Sequence, residues 1–174
     1  MGYQENHLPR KQGELGHDVC IITSNINPKD RGSTDKKYKT GEFKDSGVRI
    51  IRLPPLLHMK LTEDVALKGL FNRIWKEDPD IVHVHGTLSP YLYQGIVACE
   101  ILGIPLVVDD HVDDDNLSTE TIANKILLSA YSNIIFPLAK PSIQHYLPIT
   151  NASKKFLTDT LDVDPSSQTI LPLG

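Results

Sequence analysis

The feature that most constrains this fold is a regular alternation of short apolar runs with longer helical patterns. Most of the runs are rich in β-branched residues and apolar on both alternating faces, which is typical of parallel strands buried between two layers of helices. Strands that alternate with helices predict an α/β fold with a doubly wound parallel sheet. The predicted strands are 18–23, 48–53, 80–85, 104–109, 145–150 and 168–173, and the predicted helices lie near 61–77, 88–102, 118–132 and 151–160.

The chain opens on a helical pattern rather than on a strand. Residues 1–17 lead into the strand at 18–23 through the turn LGHDV, and they leave no room for a strand in front. In a doubly wound order the first strand is central, between the strands at 18–23 and 80–85. Its absence would leave two inner edges that need pairing. We therefore expect a gap, a rearranged sheet or a strand from a partner chain, and a homodimer formed through these edges is one such arrangement.

Length and composition limit the class of protein. The 174 residues are enough for one domain with a real core, and we assign 1–174 to a single domain. A net charge of −4 argues against a broad nucleic-acid surface, which needs clustered Lys and Arg. We expect no membrane-spanning helix, because no run of about 18 consecutive apolar residues occurs. The N-terminus also lacks the apolar region of a signal peptide.

Two further features concern a loop and the thiols. Residues 25–47 are polar and without periodicity, which predicts a mobile loop. We interpret the basic run DKKYKTGEFK within it as solvated, with binding of a nucleotide phosphate or a membrane surface as the alternative. Cys20 and Cys99 fall in a predicted strand and a predicted helix, so we expect buried free thiols, as in a protein of the reducing cytoplasm.

The first candidate site lies at the end of the strand in DIVHVHGT. Ligands of an open parallel sheet bind beyond the carboxyl ends of its strands. Alternation places His83 and His85 on one face. His83 lies mid-strand, so we expect a hydrogen-bonded core histidine. His85 ends the strand and Gly86 follows without a Cβ, so a binding role and a structural turn are both open for these two residues.

The next strand ends in a second polar cluster, VVDDHVDDDN. Asp109, Asp110 and His111 leave its carboxyl end, and neighbouring strands would place His111 beside His85. A histidine flanked by carboxylates can be held in one tautomer with a tuned pKa, and we therefore predict a functional His111. We interpret the acidic residues 113–115 as solvated or as capping the next helix.

The same residue types permit a different enzyme. His83, His85 and His111 offer the ligand types of a metal-dependent hydrolase, although a further ligand at a diagnostic spacing is lacking. A serine hydrolase has less support, because no G-x-S-x-G elbow occurs and GTLSP is a poor substitute. The sequence contains neither a P-loop nor a G-x-G-x-x-G motif.

Several segments, in order, resemble the retaining, nucleotide-sugar-dependent glycosyltransferases of the GT-B fold, family 4. They are GYQE, LGHDVCIITS, DPDIVHVHG, GIPLVVDDH, PITNASKKFL and ILPLG, and they cover nearly the whole chain. The resemblance implies a Rossmann-like, N-terminal, acceptor-side domain whose first strand is missing. It also implies that the C-terminal domain, with most of the donor nucleotide pocket, lies outside this chain.

The resemblance assigns roles to individual residues. His111 is implied to be catalytic, through contact with the donor sugar. The residues implied to bind substrate are Gly2, Tyr3, His85, Gly86, Ser89, Asp110 and Gly174. Neither a metal nor another cofactor is implied, because basic residues and helix N-termini would carry the charge of the diphosphate.

The implied reaction moves a sugar, with retention, from a UDP- or GDP-type nucleotide sugar to a hydroxyl of a carbohydrate or lipid-linked acceptor. The expected location is the cytoplasm, with peripheral contact at the inner face of a membrane left open. Without the second domain, we expect no turnover from this chain alone. A non-catalytic sugar-binding module is the remaining alternative.

Overall fold

In the computed structural model, the described residues are 4–26, 38–59, 64–112 and 121–172. The chain divides into two units by its internal contacts. The first unit is Met1–Arg73 together with Gly174, and the second is Ile74–Leu173. The site residues predicted at Gly2, Tyr3 and Gly174 lie outside the described residues.

The first unit contains the opening helix and a three-stranded sheet. Helix α1 (Gln4–Glu14) leads into strand β1 (Cys20–Ser24), as the opening pattern predicts. Strand β3 (Val48–Leu53) pairs with β1 in parallel, with Cys20 opposite Arg49. Strand β2 (Gly41–Asp45) is antiparallel to β3, so the order is β1-β3-β2. The strands predicted at 18–23 and 48–53 are confirmed.

Strand β2 corrects the prediction of a loop over 25–47. The connection to β3 is two residues, Ser46 and Gly47, with φ of 50° and 90°. Positive φ at both positions is what a type I′ hairpin needs. The sequence does not reveal this strand because only its central residue, Phe43, is half-buried, and the strand has no apolar alternation. Residues 27–37 of the predicted loop lie outside the described residues.

The helix predicted near 61–77 is only partly correct. Strand β5 (Asp64–Leu67) occupies its first part and pairs antiparallel with β4 (Pro55–Met59). Helix α2 (Leu70–Glu77) begins after Gly69, whose φ of +80° favours glycine and separates strand from helix. The sequence pattern is ambiguous because apolar residues continue at helical spacing across this glycine.

The second unit is built on a parallel sheet in the order β6-β7-β8. Its strands are β6 (Val82–His85), β7 (Leu106–Asp110) and β8 (His145–Pro148), and two of its helices are α3 (Pro90–Leu102) and α6 (Asn151–Asp159). Helix α3 packs closely on the sheet at Gly95, where a Cβ would lie 3.4 Å from Val84 and 3.5 Å from Leu106. These elements confirm the strands predicted at 80–85, 104–109 and 145–150 and the helices at 88–102 and 151–160.

Apolar side chains of the sheet and helices form the core of this unit. It includes Val84, Leu92, Ile96, Leu106, Val108, Phe136, Tyr146, Phe156 and Leu157. The Cys99 thiol forms no disulfide and is buried in this core, as predicted, whereas Cys20 of the first unit is half-buried. Burial also raises the pKa of Cys99 to about 11, which makes it a structural rather than a reactive thiol.

The strand predicted at 168–173 is not formed over the described residues to 172. Gln168 makes one isolated parallel bridge to Tyr146. The N–H groups of Thr169 and Leu171 donate to the carbonyls of Tyr146 and Pro148, at 3.0 and 2.9 Å. The return bond is missing because Pro148 has no N–H. The apolar segment therefore lies along β8 with only part of the hydrogen bonds of a regular strand.

A long helix connects β7 to β8 and runs without interruption from Ile122 to Ser142. It consists of α4 (Ile122–Ala130), a π-helical turn (Tyr131–Ile135), α5 (Phe136–Ala139) and a 3₁₀ turn (Lys140–Ser142). The end predicted near 132 is wrong, because the π-helical turn lets the helix continue through Pro137. By length and composition alone this helix could cross a membrane.

The described strands thus form separate sheets rather than one continuous sheet. The predicted fold class is confirmed, since parallel strands alternate with helices in an α/β arrangement.

Candidate functional site

The candidate site lies at the carboxyl ends of β6 and β7 in the second unit. The two strands are parallel, and their register places His85 directly opposite Asp109. Both strands end at the same edge of the sheet, which we call the carboxyl edge. Ligands of α/β sheets bind beyond this edge, so the two side chains are placed where chemistry is expected.

Asp109 is the centre of a cluster of histidines. Its side chain is fully buried, and its Oδ2 accepts a hydrogen bond from Nδ1–H of His85 at 2.6 Å. The Nε2 atoms of His83 and His111 lie 3.4 and 3.6 Å from the same oxygen. The rings of His83 and His85 are 4.7 Å apart between centroids. Three histidines therefore share one carboxylate oxygen.

The histidines keep Asp109 ionised. Burial alone would raise the pKa of this carboxyl, but the nearby rings of His111 and His83 and the hydrogen bond from His85 outweigh burial and hold the pKa far below its usual range. A buried negative charge is tolerated only with such partners. In the neutral form of the His85 ring, donation from Nδ1 leaves Nε2 as the acceptor atom.

Asp110, the next residue, lies in a different environment. Its Oδ1 accepts hydrogen bonds from the Thr87 hydroxyl at 2.8 Å and from the Thr87 N–H at 3.3 Å. Burial raises the pKa of Asp110 to about 6, against the opposing effect of Thr87. Two adjacent carboxyl groups thus have pKa values displaced in opposite directions, an arrangement that is typical of acid–base sites.

The loop after β6 is fixed by hydrogen bonds that its backbone groups make with β7 and with nearby hydroxyl groups. Gly86 has a φ of +88°, and its N–H donates to the carbonyl of Asp109 at 3.0 Å. The Ser89 hydroxyl donates to the Gly86 carbonyl at 3.2 Å, and the Tyr91 hydroxyl donates to the His85 carbonyl at 2.6 Å. Ser89 is the residue before helix α3, so the loop ends where that helix starts.

The long helix supports the same loop from its inner side. The Tyr131 hydroxyl makes a short hydrogen bond to the carbonyl of Thr87, and it accepts one from the Tyr93 hydroxyl at 2.9 Å. Burial raises the pKa of Tyr131, so its hydroxyl stays protonated and remains a donor. Thr87 is therefore held through its carbonyl while its N–H and hydroxyl hold Asp110.

A family model described as Glycosyltransferase Family 4 matches residues 7–174, nearly the whole chain. The chain belongs to glycosyltransferase family 4. The resemblance noted in the sequence is thereby confirmed, and the carboxyl-edge cluster is a feature of a family 4 domain.

Curated proteins are also similar to this chain. The chain is 25% identical over 171 residues to a protein named phosphatidylinositol N-acetylglucosaminyltransferase GPI3 subunit, from three strains of Saccharomyces cerevisiae: YJM789, RM11-1a and ATCC 204508 / S288c. These alignments cover 95% of this chain and 34% of each relative. The family 4 chain thus spans about a third of the length of the curated relatives it matches.

The structure brings together most of the residues predicted at this site. His85, Gly86, Ser89, Asp110 and His111 all lie at the carboxyl edge. His111 lies near His85, as predicted, and both rings approach the same oxygen of Asp109. The side chains of His85 and His111 are 35% and 36% exposed, so a ligand can reach both. Ser89 is buried, and its hydroxyl is engaged with the loop.

Three site residues were not predicted in their observed roles. His83, expected in the core, is 21% exposed and joins the Asp109 cluster. Asp109 was placed near the site but not at its centre, and Thr87 was not singled out at all. The threonine follows directly on His85 and Gly86, and a search for donors that could reach Asp110 across the strand pair would have found it.

The cluster also has the residue types of a metal site. Single ligand atoms of His83, His85 and Asp109 lie within 4.8 Å of one another, a set in which Asp109 replaces the His111 of our sequence-based alternative. Imidazole nitrogens and a carboxylate suit zinc. The 2.6 Å contact between His85 and Asp109 is a direct hydrogen bond, so these two atoms would have to separate to accommodate an ion.

Proposed function

We propose that this family 4 chain is the acceptor-side domain of a retaining glycosyltransferase. The enzyme would move a sugar from a UDP- or GDP-type nucleotide sugar to a hydroxyl of a carbohydrate or lipid-linked acceptor. The observation that carries the proposal is the cluster of accessible His85 and His111 around ionised Asp109 at the carboxyl edge. This is where an open α/β sheet binds its ligands.

The two exposed histidines take different roles in this proposal. His85 donates through Nδ1 to Asp109, so its Nε2 is free to accept a hydrogen bond from the acceptor hydroxyl and orient it. His111 lies on the other strand with about a third of its side chain exposed, and we assign it to contact with the donor sugar. Asp109 positions both rings through one oxygen.

Asp110 is assigned to substrate binding. Its Oδ1 is occupied by Thr87, whereas its buried Oδ2 has no hydrogen-bond partner among the described residues. A buried carboxyl oxygen without a partner is unfavourable unless a ligand or water satisfies it. A sugar hydroxyl donating to Oδ2 would complete the site.

The donor nucleotide is assigned to a part of the protein beyond this chain, which spans 34% of its curated relatives. We therefore expect no turnover from residues 1–174 alone. Transfer itself is assigned no metal and no other cofactor. We place the protein in the cytoplasm with peripheral contact at the inner face of a membrane, and we expect assembly with a further subunit or with a second copy of itself, since the relative is named as a subunit.

The relative's name also suggests the first substrates to test. It identifies an N-acetylglucosaminyl donor group and phosphatidylinositol as acceptor. The complete protein should release nucleoside diphosphate from UDP-N-acetylglucosamine, or from another UDP- or GDP-sugar, only when a detergent-solubilised acceptor is present. Failure to release nucleoside diphosphate from any such donor would contradict the proposal. Equal turnover by residues 1–174 alone would contradict the assignment of the donor pocket.

A metal-dependent hydrolase is the second candidate, favoured by the convergence of His83, His85 and Asp109. Elemental analysis of protein purified without chelator separates the two candidates. Stoichiometric zinc that is lost in a His83→Gln variant would support the hydrolase, because His83 is a ligand only in that reading. A protein without bound zinc that still transfers sugar would eliminate it.

A further inference from the structure

The long helix Ile122–Ser142 presents a row of large aliphatic side chains to solvent. Only 11% of its most apolar window is buried within the structure. Ile122 and Leu138, near its two ends, are both 79% exposed. The exposed members of this outer row are Ile122, Ile126, Leu127, Ile134, Ile135 and Leu138. An apolar row of this length on a surface marks an interaction site.

The opposite side of the helix packs against the core of the second unit. Phe136 and Ala139 are buried in the core of the second unit, and Leu128 and Tyr131 pack against it. Tyr131 also hydrogen-bonds to Thr87 and Tyr93. A helix with one side fixed in this way is suited to lie along a bilayer rather than to cross it, because a crossing helix would have to withdraw these groups from the core.

The charges of the helix fit a membrane surface. The segment 121–142 contains no Asp or Glu, and its two charged residues are Lys125 and Lys140. Lys140 is engaged by Asp162 at 2.8 Å, which leaves Lys125 near the start of the row as the main cation of the segment. One lysine contributes little attraction to anionic lipid, so apolar insertion would dominate binding.

We propose that the outer row docks on the surface of a lipid bilayer and so brings the carboxyl-edge site to the headgroup of a lipid-linked acceptor. This inference rests on the proposed function, because a lipid-linked acceptor is what such docking would serve. The connection is structural: Tyr131 on the inner side of the helix holds Thr87, and Thr87 holds Asp110. The membrane element and the site are therefore parts of one hydrogen-bonded unit.

The test is flotation of the protein with vesicles of phosphatidylcholine and phosphatidylinositol. The triple variant Ile122→Gln, Ile126→Gln and Ile134→Gln should have a vesicle affinity at least about tenfold lower, because three aliphatic side chains are lost from the inserted face. The matched control is Val97→Gln with Ile101→Gln, two similarly exposed residues of helix α3, which should bind like the original protein. Raising the salt concentration should change binding little.

Folding of the variants is checked by thermal unfolding, which surface substitutions should leave nearly unchanged. A second readout avoids any loss of apolar surface. Residues 1–174 contain one tryptophan, so Ile126→Trp in a Trp75→Phe background of this chain reports on the helix. Its emission should shift to shorter wavelength when vesicles are added.

Three results would overturn the proposal. They are absence of vesicle binding by the original protein, equal binding by the triple variant and its control, and a soluble dimer that the triple variant abolishes in place of vesicle binding. None of these measures sugar transfer, and transfer is assayed with a detergent-solubilised acceptor, so failure of the docking proposal and failure of the proposed function can be told apart.

Discussion

The parallel pair β1 and β3 in the first unit and the parallel sheet β6-β7-β8 in the second are built on the same pairing, but their carboxyl ends differ. After β1, the polar side chain at the end of the described segment is the neutral Asn25. Its N–H donates to the carbonyl of Leu53 at 3.0 Å, and its side-chain amide donates to the carbonyl of Tyr38 at 3.2 Å. After β6 and β7 the polar groups are titratable and gather on Asp109.

This difference shows that the pairing of strands does not decide which side chains gather at the carboxyl ends. The first unit uses its strand ends to fix a loop, and the second uses them to hold a buried charge among ligand-accessible rings. A fold supplies the edge, whereas the residue types at that edge supply the function. The comparison leads to two predictions of different size, one for each region.

The largest effect on stability is expected for Asp109→Asn in the second unit. Removing the carboxylate deprives His85 of a charged partner and should lower the free energy of unfolding by about 3 kcal/mol at neutral pH. Folding lowers the pKa of Asp109, so the ionised carboxylate stabilises the folded state. This stabilisation is fully present above the ordinary aspartate pKa of about 3.9 and is lost as the pH falls below that value. Denaturant unfolding of both proteins at several pH values measures the difference.

The control for this prediction is Asp162→Asn. Asp162 is fully exposed and pairs with Lys140, so the change should cost less than about 0.5 kcal/mol. Its φ of 51° is also one that asparagine accepts readily. An Asp109→Asn variant as stable as this control would show that the histidines do not depend on the carboxylate.

A smaller effect is expected for Asn25→Ala in the first unit. Asn25 is 6% exposed, and the loss of its hydrogen bond to Tyr38 should lower the free energy of unfolding by about 1 kcal/mol. Sugar transfer by the complete protein should not change, because this strand end carries no titratable cluster among the described residues. Thr40→Ala, an exposed change in the same unit, is the matched control. A loss of transfer specific to Asn25→Ala would mean that the chemistry is not confined to the second unit.

The sequence predicted the second unit better than the first, for a physical reason. Strands β6 and β7 are short, contain valines and are followed by helices or polar clusters, so periodicity and the carboxyl-edge rule were enough to place His85 and His111 together. Strand β2 is exposed on both faces and β5 runs into a helical spacing, so neither has a distinctive pattern.

The centre of the site depended on information that a single sequence does not contain. Asp109 becomes the shared partner only because the β6–β7 register sets it opposite His85. His83 is two residues earlier on the same face of β6 and also reaches it. Tyr131 reaches Thr87 from 44 residues along the chain, through a π-helical turn that periodicity does not predict. These are tertiary relations, and they had to be seen in the structure.

The central claim is that the carboxyl edge of the second unit carries out sugar transfer, and turnover by the complete protein tests it most directly. His111→Ala should lower kcat about 100-fold or more with little loss of stability, because the ring assigned to the donor sugar is removed. His145→Ala is the control, since His145 lies at the opposite end of the same sheet and bonds Thr169 at 2.9 Å. It should change kcat less than about twofold. Equal turnover by the two variants would contradict the account.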